Sequence, residues 1–180
     1  LPINDGEKQA RPQSVDSMTF KSSCEELANF LCSQGCDLII LEMMYHPDRM
    51  KLVFEIAQQI DMPIWAGFST RRGRNGEILS TMEERDVLFE ELLDSAMEYN
   101  FDVAGIMHTN VDEISDSLAI LKKKFDGPLM VYPDSGGWVS PNWDFNKIIK
   151  PKELLKRSEI WVQEGAQVIG GCCGLSPEHI

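Results

Sequence analysis

The sequence has little of what would place it in a membrane or on a nucleic acid. No apolar run approaches the ~20 residues that a membrane-spanning helix needs, and the polar residues 1–17 lack the apolar core of a secretory signal. Basic residues are the scarcer charge, with 17 Lys and Arg against 29 Asp and Glu and a formal net charge of -12. Because nucleic acids and anionic lipids repel such a surface, we expect neither as a partner.

The chain also lacks a paired set of cysteines. It has five, an odd number, and its 180 residues are enough to bury a core without covalent cross-links. Such usage argues against a disulfide framework and predicts a reducing, cytoplasmic location. Cys24, Cys32 and Cys36 fall in or just after one apolar helical pattern, where thiols act as small hydrophobic side chains. The composition, 43% hydrophobic and 26% charged, is typical of a globular protein.

Apolar runs typical of buried strands alternate with amphipathic helical patterns from residue 22 onward, whereas residues 1–21 form a polar lead-in. Five β/α units result, so residues 22–180 are expected to be part of one domain with a parallel sheet and right-handed crossovers. The predicted strands span residues 37–44, 63–69, 102–107, 128–132 and 166–171. The predicted helices span residues 22–35, 47–60, 82–100, 110–125 and 152–164, with loops at 71–80 and 134–150 and one more helix starting near 176.

Two α/β architectures fit this alternation, a doubly wound sheet and a (β/α)8 barrel. A dinucleotide-binding doubly wound fold loses support because no G-x-G-x-x-G follows a strand. A barrel gathers the residues that follow its strands around one mouth, and the polar or reactive residues of this chain fall there. They are Glu42, Ser69, Thr70, His108, Tyr132, Asp134, Cys172 and Cys173. Since a barrel has eight strands, we expect an incomplete barrel that lacks about three β/α units upstream.

The adjacent cysteines Cys172 and Cys173 are the sharpest chemical feature. In a regular strand they would point to opposite faces, but the glycines around them let the backbone turn so that both thiols converge. A shared metal, a buried structural role and redox chemistry all stay open for the pair. Zinc favours thiolate and imidazole ligands, and His108 is the candidate third ligand, with an ordinary hydrogen-bonded loop histidine as the alternative. His46 is expected to be solvated or to cap a helix.

Three stretches resemble the homocysteine S-methyltransferase family. Residues 170–180, GGCCGLSPEHI, are similar to the family's closing Gly-Gly-Cys-Cys-Gly signature, which is followed by Pro, a variable residue and His-Ile. Residues 131–136, VYPDSG, resemble its Tyr-Pro-Asn-Ser-Gly stretch, and residues 35–42 resemble its Gly-x-Asp strand that ends in Glu. The resemblance implies a (β/α)8 barrel in which zinc, held by three cysteines, binds homocysteine as a thiolate that accepts a methyl group to give methionine.

The resemblance also implies roles for single residues. Two zinc ligands carry over to Cys172 and Cys173, and His108 stands where the family has its first cysteine, so the implied metal site is His108, Cys172 and Cys173. The implied substrate-binding residues are Glu42, Tyr132 and Asp134, with Asp134 in place of the family's Asn. Glu42 would accept hydrogen bonds from the ammonium group of the amino acid, and a solvated strand-end charge is the alternative.

Three functional hypotheses follow from these residues. The first is a zinc-dependent methyltransferase that moves a methyl group from a small donor to homocysteine. The second is a divergent relative acting on another thiol or methylated small molecule, because two thiolates and a neutral imidazole leave zinc uncharged overall, whereas three thiolates leave one negative charge. The third is a non-catalytic fragment or a subunit, with a homo-oligomer or a completing second chain as its partner.

Overall fold

The computed structural model describes residues 16–82, 85–139 and 142–180. Its helices are α1 (Ser17–Ser33), α2 (Pro47–Ala57), α3 (Phe89–Ala96), α4 (Ile114–Leu121) and α5 (Pro151–Glu164), followed by a short 3-10 helix at Pro177–His179. Its strands are β1 (Ile39–Met44), β2 (Ile64–Phe68), β3 (Thr70–Arg72), β4 (Ile78–Ser80), β5 (Val103–Asn110), β6 (Leu129–Asp134), β7 (Gly137–Val139), β8 (Asn142–Asp144) and β9 (Ala166–Ile169).

Five of these strands form one parallel sheet in the order β1-β2-β5-β6-β9. The spatial order of the five follows their order along the chain, and a helix lies between each strand and the next. A doubly wound sheet reverses its direction at a switch point, whereas a barrel adds each strand beside the previous one. The prediction of an α/β fold with five units of an incomplete (β/α)8 barrel is therefore confirmed.

The core lies between this sheet and the helices that cover one face of it. Phe54 of α2, Phe68 of β2 and Phe89 of α3 are fully buried, and their rings meet edge to face with centroids 6.5 Å and 6.1 Å apart. Ile106 of β5 and Leu118 of α4 are buried on the same side. Each such side chain contributes about 1.5–3 kcal/mol by leaving water, so this layer holds the strand ends in place.

Apolar side chains stay exposed near both edges of the sheet. On α1, which buries none of its residues, Met18 is 77% exposed and Phe30 57%. On α5, next to edge strand β9, Leu155 and Val162 are exposed as well. A closed barrel covers such faces with its neighbouring units.

In the part of the chain that the structure describes, no helix combines the length and the apolar character needed to cross a bilayer.

Several predicted boundaries were wrong. The first helix starts at Ser17 and not near 22, because the Asp16 carboxylate accepts the backbone N–H groups of Met18 and Thr19, each at 3.0 Å. Residues 16–21 of the predicted lead-in therefore belong to the start of this helix or its cap, and residues 1–15 lie outside the described part. Where one more helix is predicted to start near 176, the structure has a 3-10 helix over Pro177–His179.

The two predicted loops each contain a hairpin. Strands β3 and β4 pair antiparallel over residues 70–80, and β7 and β8 pair antiparallel within 134–150. The helix predicted over 82–100 is reduced to α3, because the backbone N–H of Ser80 donates to the carbonyl of Val87 and extends the first hairpin into that segment. Side-chain periodicity could not show this pairing, since the partner lies on another segment.

Gly105 gives a test of the sheet. It lies in the middle of β5, where an added Cβ would overlap the carbonyl oxygen of Met130 on β6. We expect Gly105→Ala to lower the free energy of unfolding by roughly 1–3 kcal/mol or more through overpacking, measured by urea or thermal unfolding. Gly137→Ala is the matched control because a Cβ there meets open space. Equal stability of the two variants would contradict the strand register described here.

Candidate metal centre

The carboxyl ends of the parallel strands meet at one edge of the sheet and bring distant residues together. His108 lies near the end of β5, Asp134 ends β6, and the turn after β9 carries Cys172 and Cys173. Glu42 lies near the end of β1 at the same edge. Because a parallel sheet aligns its strands in one direction, side chains more than 60 positions apart in sequence become neighbours in space.

His108, Cys172 and Cys173 form a compact cluster of potential metal ligands. The His108 Nδ1 atom lies 3.6 Å from each of the two Sγ atoms, and the Sγ atoms lie 3.8 Å apart. Tetrahedral zinc, with bonds of about 2.3 Å to sulfur and about 2.0–2.1 Å to nitrogen, implies ligand separations of roughly 3.5–3.8 Å. The spacing and the chemistry of these side chains therefore fit one zinc ion, with a fourth position left over for another ligand.

A bulge in β5 presents the His108 side chain. The pairing of β5 with β6 shifts between Met107 and Asn110, and His108 has a φ of 43°, in the left-handed region. Residues other than glycine adopt this conformation rarely, and it concentrates at functional sites. The Ser69 hydroxyl donates to the His108 carbonyl at 2.8 Å. This buried serine thus gives the displaced carbonyl a hydrogen-bond partner.

A second bulge lies at the end of β1. Its pairing with β2 shifts between Leu41 and Met44, and Met43 has a φ of 58°. The Met43 backbone N–H donates to the Met107 Sδ atom at 3.0 Å, and the Tyr132 hydroxyl donates to the same sulfur at 3.1 Å. The buried thioether of Met107 therefore connects the ends of three strands just beneath the cluster.

The turn that carries the two cysteines is fixed against the end of β6. The Cys172 N–H donates to the Pro133 carbonyl at 2.8 Å, and the Ser135 N–H donates to the Cys173 carbonyl at 2.9 Å. Gly174 follows with a φ of 79°, and a Cβ on it would overlap the Ser135 carbonyl. A glycine is required here both by conformation and by space. The convergence of the adjacent thiols, expected from the flanking glycines, is what the structure shows.

Burial sets the protonation of the cluster. Removal from water raises the pKa of the Cys172 thiol to about 12, with the neighbouring charge of Cys173 adding to the effect. Burial also lowers the pKa of His108, so its imidazole is neutral at physiological pH. A neutral imidazole is the form that binds a metal, whereas the Cys172 thiol needs a nearby cation to become a thiolate.

Asp134 also lies near the His108 Nδ1 atom. Its Oδ2 atom is 3.8 Å from the His108 Nδ1 atom, and the two side chains are only 13% and 17% exposed. Burial, with a smaller contribution from the charge of Glu113, raises the pKa of the Asp134 carboxyl to about 6. The carboxyl is therefore mostly ionised at neutral pH even though it is largely shielded from water.

A cavity of about 380 Å³ opens beside the cluster. Glu42 contributes an exposed carboxylate to its wall, whereas Tyr132 and Asp134 are not among its lining residues and lie against Met107 and His108 behind it. Burial raises the pKa of Tyr132, and the charge of Glu42 adds to this effect. The cavity is lined by Phe20, Glu42, Met43, Met44, Tyr45, His46, Arg49, Met50, Val53, Met107, His108, Cys172 and Cys173.

Some of the residues around this site gave no signal in the sequence. The sequence marks Ser69 only as a polar residue after a strand and Met107 only as an apolar strand residue, because their contacts depend on the bulges. His46 occupies the N-cap position of α2, as expected for a capping histidine, but it is half-buried and its side chain makes no capping hydrogen bond. Its Nδ1 atom is buried without a partner among the described residues.

The family model for homocysteine S-methyltransferase matches residues 3–180. The chain therefore belongs to the homocysteine S-methyltransferase family.

Known relatives agree with this assignment. The chain is 24% identical over 172 residues to a selenocysteine methyltransferase of Astragalus bisulcatus, covering 93% of this chain and 49% of the relative. It is 27% identical over 182 residues to homocysteine S-methyltransferase 1 of Saccharomyces cerevisiae, covering 97% of this chain and 54% of the relative. The chain thus spans about half the length of the curated relatives it matches.

The fold is shared with a solved structure of the family. The homocysteine methyltransferase MmuM from Escherichia coli, in its apo form, superposes with a TM-score of 0.66 at 20% identity. The match covers 90% of this chain and 54% of that chain. The likeness supports the (β/α)8 barrel architecture and the incomplete set of units in this chain.

Ser69 gives a test of how His108 is held. We expect Ser69→Ala to leave the His108 carbonyl without its donor, to lower the free energy of unfolding by about 1–3 kcal/mol, and to shift the imidazole resonances of His108 in NMR spectra. Ser117→Ala is the control, because Ser117 is equally buried but its hydroxyl bonds the Glu113 carbonyl and the Thr70 hydroxyl. If both variants shift the His108 resonances equally, Ser69 has no special role.

Proposed function

We propose that the protein to which this chain belongs is a zinc-dependent homocysteine S-methyltransferase, which moves a methyl group from a small donor to the thiol of homocysteine and gives methionine. The observation that carries the proposal is the cluster of His108, Cys172 and Cys173, whose ligand atoms all lie within 4.8 Å of one another. Family membership supports the same reaction.

In this proposal His108 and the two cysteines hold the zinc ion, the thiols as thiolates and the imidazole through its Nδ1 atom. Bound zinc supplies a positive charge that lowers the pKa of an entering thiol, so that a thiolate is present at neutral pH. The sulfur then forms a bond to the methyl carbon as the bond between that carbon and the donor breaks, and the donor leaves with the bonding electron pair. The thiol proton passes to solvent when the substrate binds.

The cavity beside the cluster would receive the amino acid. We assign Glu42 to its ammonium group, because an exposed carboxylate at the wall can accept charge-assisted hydrogen bonds. Tyr132 and Asp134 complete the polar surroundings from behind the cavity, through their contacts with Met107 and His108. A sulfonium, quaternary ammonium or methylfolate compound fits as the methyl donor, and the net charge of -12 favours a cationic one.

We further propose that the protein works in the cytoplasm, in methionine biosynthesis. All five cysteines carry free thiols, which supports a reducing compartment.

The open edges of β1 and β9 would be covered by further β/α units of the barrel, supplied by the same polypeptide, a second copy or another chain. The mass of the purified protein in solution distinguishes these sources.

A second candidate keeps the metal and changes the acceptor to another thiol or to a selenol. His108 and Asp134 favour it, because both differ from the residues that the family resemblance implies. One of the relatives is named a selenocysteine methyltransferase. Turnover of homocysteine measured against a panel of thiols and selenols separates the two candidates, and efficient methylation of homocysteine alone would remove the second.

The metal gives the most direct test. We expect the protein purified without chelators to contain about one zinc per site, and Cys172→Ala or Cys173→Ala to lose most of it, because two protein ligands are too few. Protons compete with the metal for the thiols, so each competing thiol proton should lower the zinc affinity about tenfold when the pH falls by one unit. The exposed Cys36 provides the control, and Cys36→Ala should keep its zinc. A parent protein without zinc would end the proposal.

Glu42 gives a test of substrate binding. We expect Glu42→Gln to raise the KM for homocysteine about 10–100-fold, the equivalent of one charge-assisted hydrogen bond, while the zinc content stays the same. Glu153→Gln, an exposed change on α5, is the matched control and should leave the KM unchanged. An unaltered KM in Glu42→Gln would assign this carboxylate to the solvated surface.

A further inference from the structure

Two residues that depart from the family pattern contact each other. His108 stands where the resemblance implies a thiolate, and Asp134 stands where it implies an uncharged Asn. They lie on adjacent strands, β5 and β6, which pair as far as Asn110 opposite Asp134 after the bulge at His108. The Asp134 Oδ2 atom is 3.8 Å from His108 Nδ1, the same nitrogen that faces the two cysteines.

The two departures have opposite effects on the charge of the site. Replacing one of three thiolates by a neutral imidazole removes one negative charge from around a divalent cation. Replacing a neutral amide by a carboxylate in contact with that imidazole adds one. Because both side chains are largely buried, water screens this charge poorly and it acts strongly on the cluster.

We propose that Asp134 is the charge partner of His108, a positioning residue whose carboxylate restores the negative charge that the imidazole fails to supply to the metal centre. This inference rests on the proposed function. Asp134 is not a ligand of the same kind as the other three, since it does not belong to the cluster whose ligand atoms all lie within 4.8 Å of one another. Its negative charge acts on the metal site from the position next to His108.

The pairing of His108 with Asp134 affects which methyl acceptor the site can use. A neutral zinc centre holds an incoming thiolate more tightly and makes it a weaker nucleophile, whereas an added negative charge nearby weakens that hold. With Asp134 in place, a site with one imidazole keeps the overall charge of a site with three thiolates. The same class of acceptor, a small thiol, can then be used despite the change of ligand.

A double-mutant cycle tests the inference on the full protein. The four proteins are the parent, Asp134→Asn, His108→Cys and the double variant, and zinc affinity is measured by competition with a chromophoric chelator. In the parent background we expect Asp134→Asn to weaken zinc binding about tenfold, as the loss of a residue next to a metal ligand commonly does. In the His108→Cys background the third thiolate supplies the charge, so Asp134→Asn should leave the affinity unchanged or increase it.

A spectroscopic readout and two control variants distinguish the effect of the lost charge from an effect of impaired folding. The thiolate-to-metal absorption of the Co²⁺-substituted protein should shift in Asp134→Asn and return toward that of the parent in Asp134→Glu, which keeps the charge. Asp126→Asn, an exposed carboxylate elsewhere, should change neither the affinity nor the spectrum.

The outcomes distinguish this inference from the proposed function. If the parent binds no zinc, both are overturned. If the parent binds zinc but Asp134→Asn has the same effect, within about twofold, in both backgrounds, the two residues act independently. The proposed function would then stand, and the charge partnership would be wrong.

Discussion

The cluster of His108, Cys172 and Cys173 depends on one local distortion of a regular sheet. Without the bulge at His108, the strand would continue its alternation and direct the imidazole elsewhere. The left-handed backbone, held by the hydrogen bond from Ser69 to the His108 carbonyl, turns the Nδ1 atom to 3.6 Å from both sulfurs. The rigid layer of buried phenylalanines behind the strands keeps this arrangement from relaxing.

Burial and charge act together at this edge of the sheet. The same shielding that raises the pKa of Cys172 makes a cation at the cluster more effective in stabilising thiolates. It also makes the carboxylate of Asp134 count for more than a surface charge would, because few water molecules screen it. The cluster thus combines a neutral imidazole and two thiols, with the Asp134 carboxyl beside it, and this combination suits one divalent ion.

The sequence predicted the strands, and the convergence of His108, Cys172 and Cys173, for physical reasons. Buried parallel strands are continuous apolar runs, so all five were placed within a few residues, and the turn around Cys172 and Cys173 followed from its glycines. The hairpins and the shortening of α3 were missed, because antiparallel pairing between Ser80 and Val87 leaves no periodic signature. The role of Met107 was missed for a similar reason, since its sulfur is reached only after β1 bulges at Met43.

The order of the strands has a consequence for how the protein is made. Each strand of the sheet pairs with the strand of the preceding β/α unit, so every unit can dock on a neighbour already synthesised as the ribosome extends the chain. The ligand cluster cannot assemble one unit at a time, because His108 and Cys172 are 64 positions apart. A metal ion would therefore meet all three of these side chains only after translation has passed Cys173.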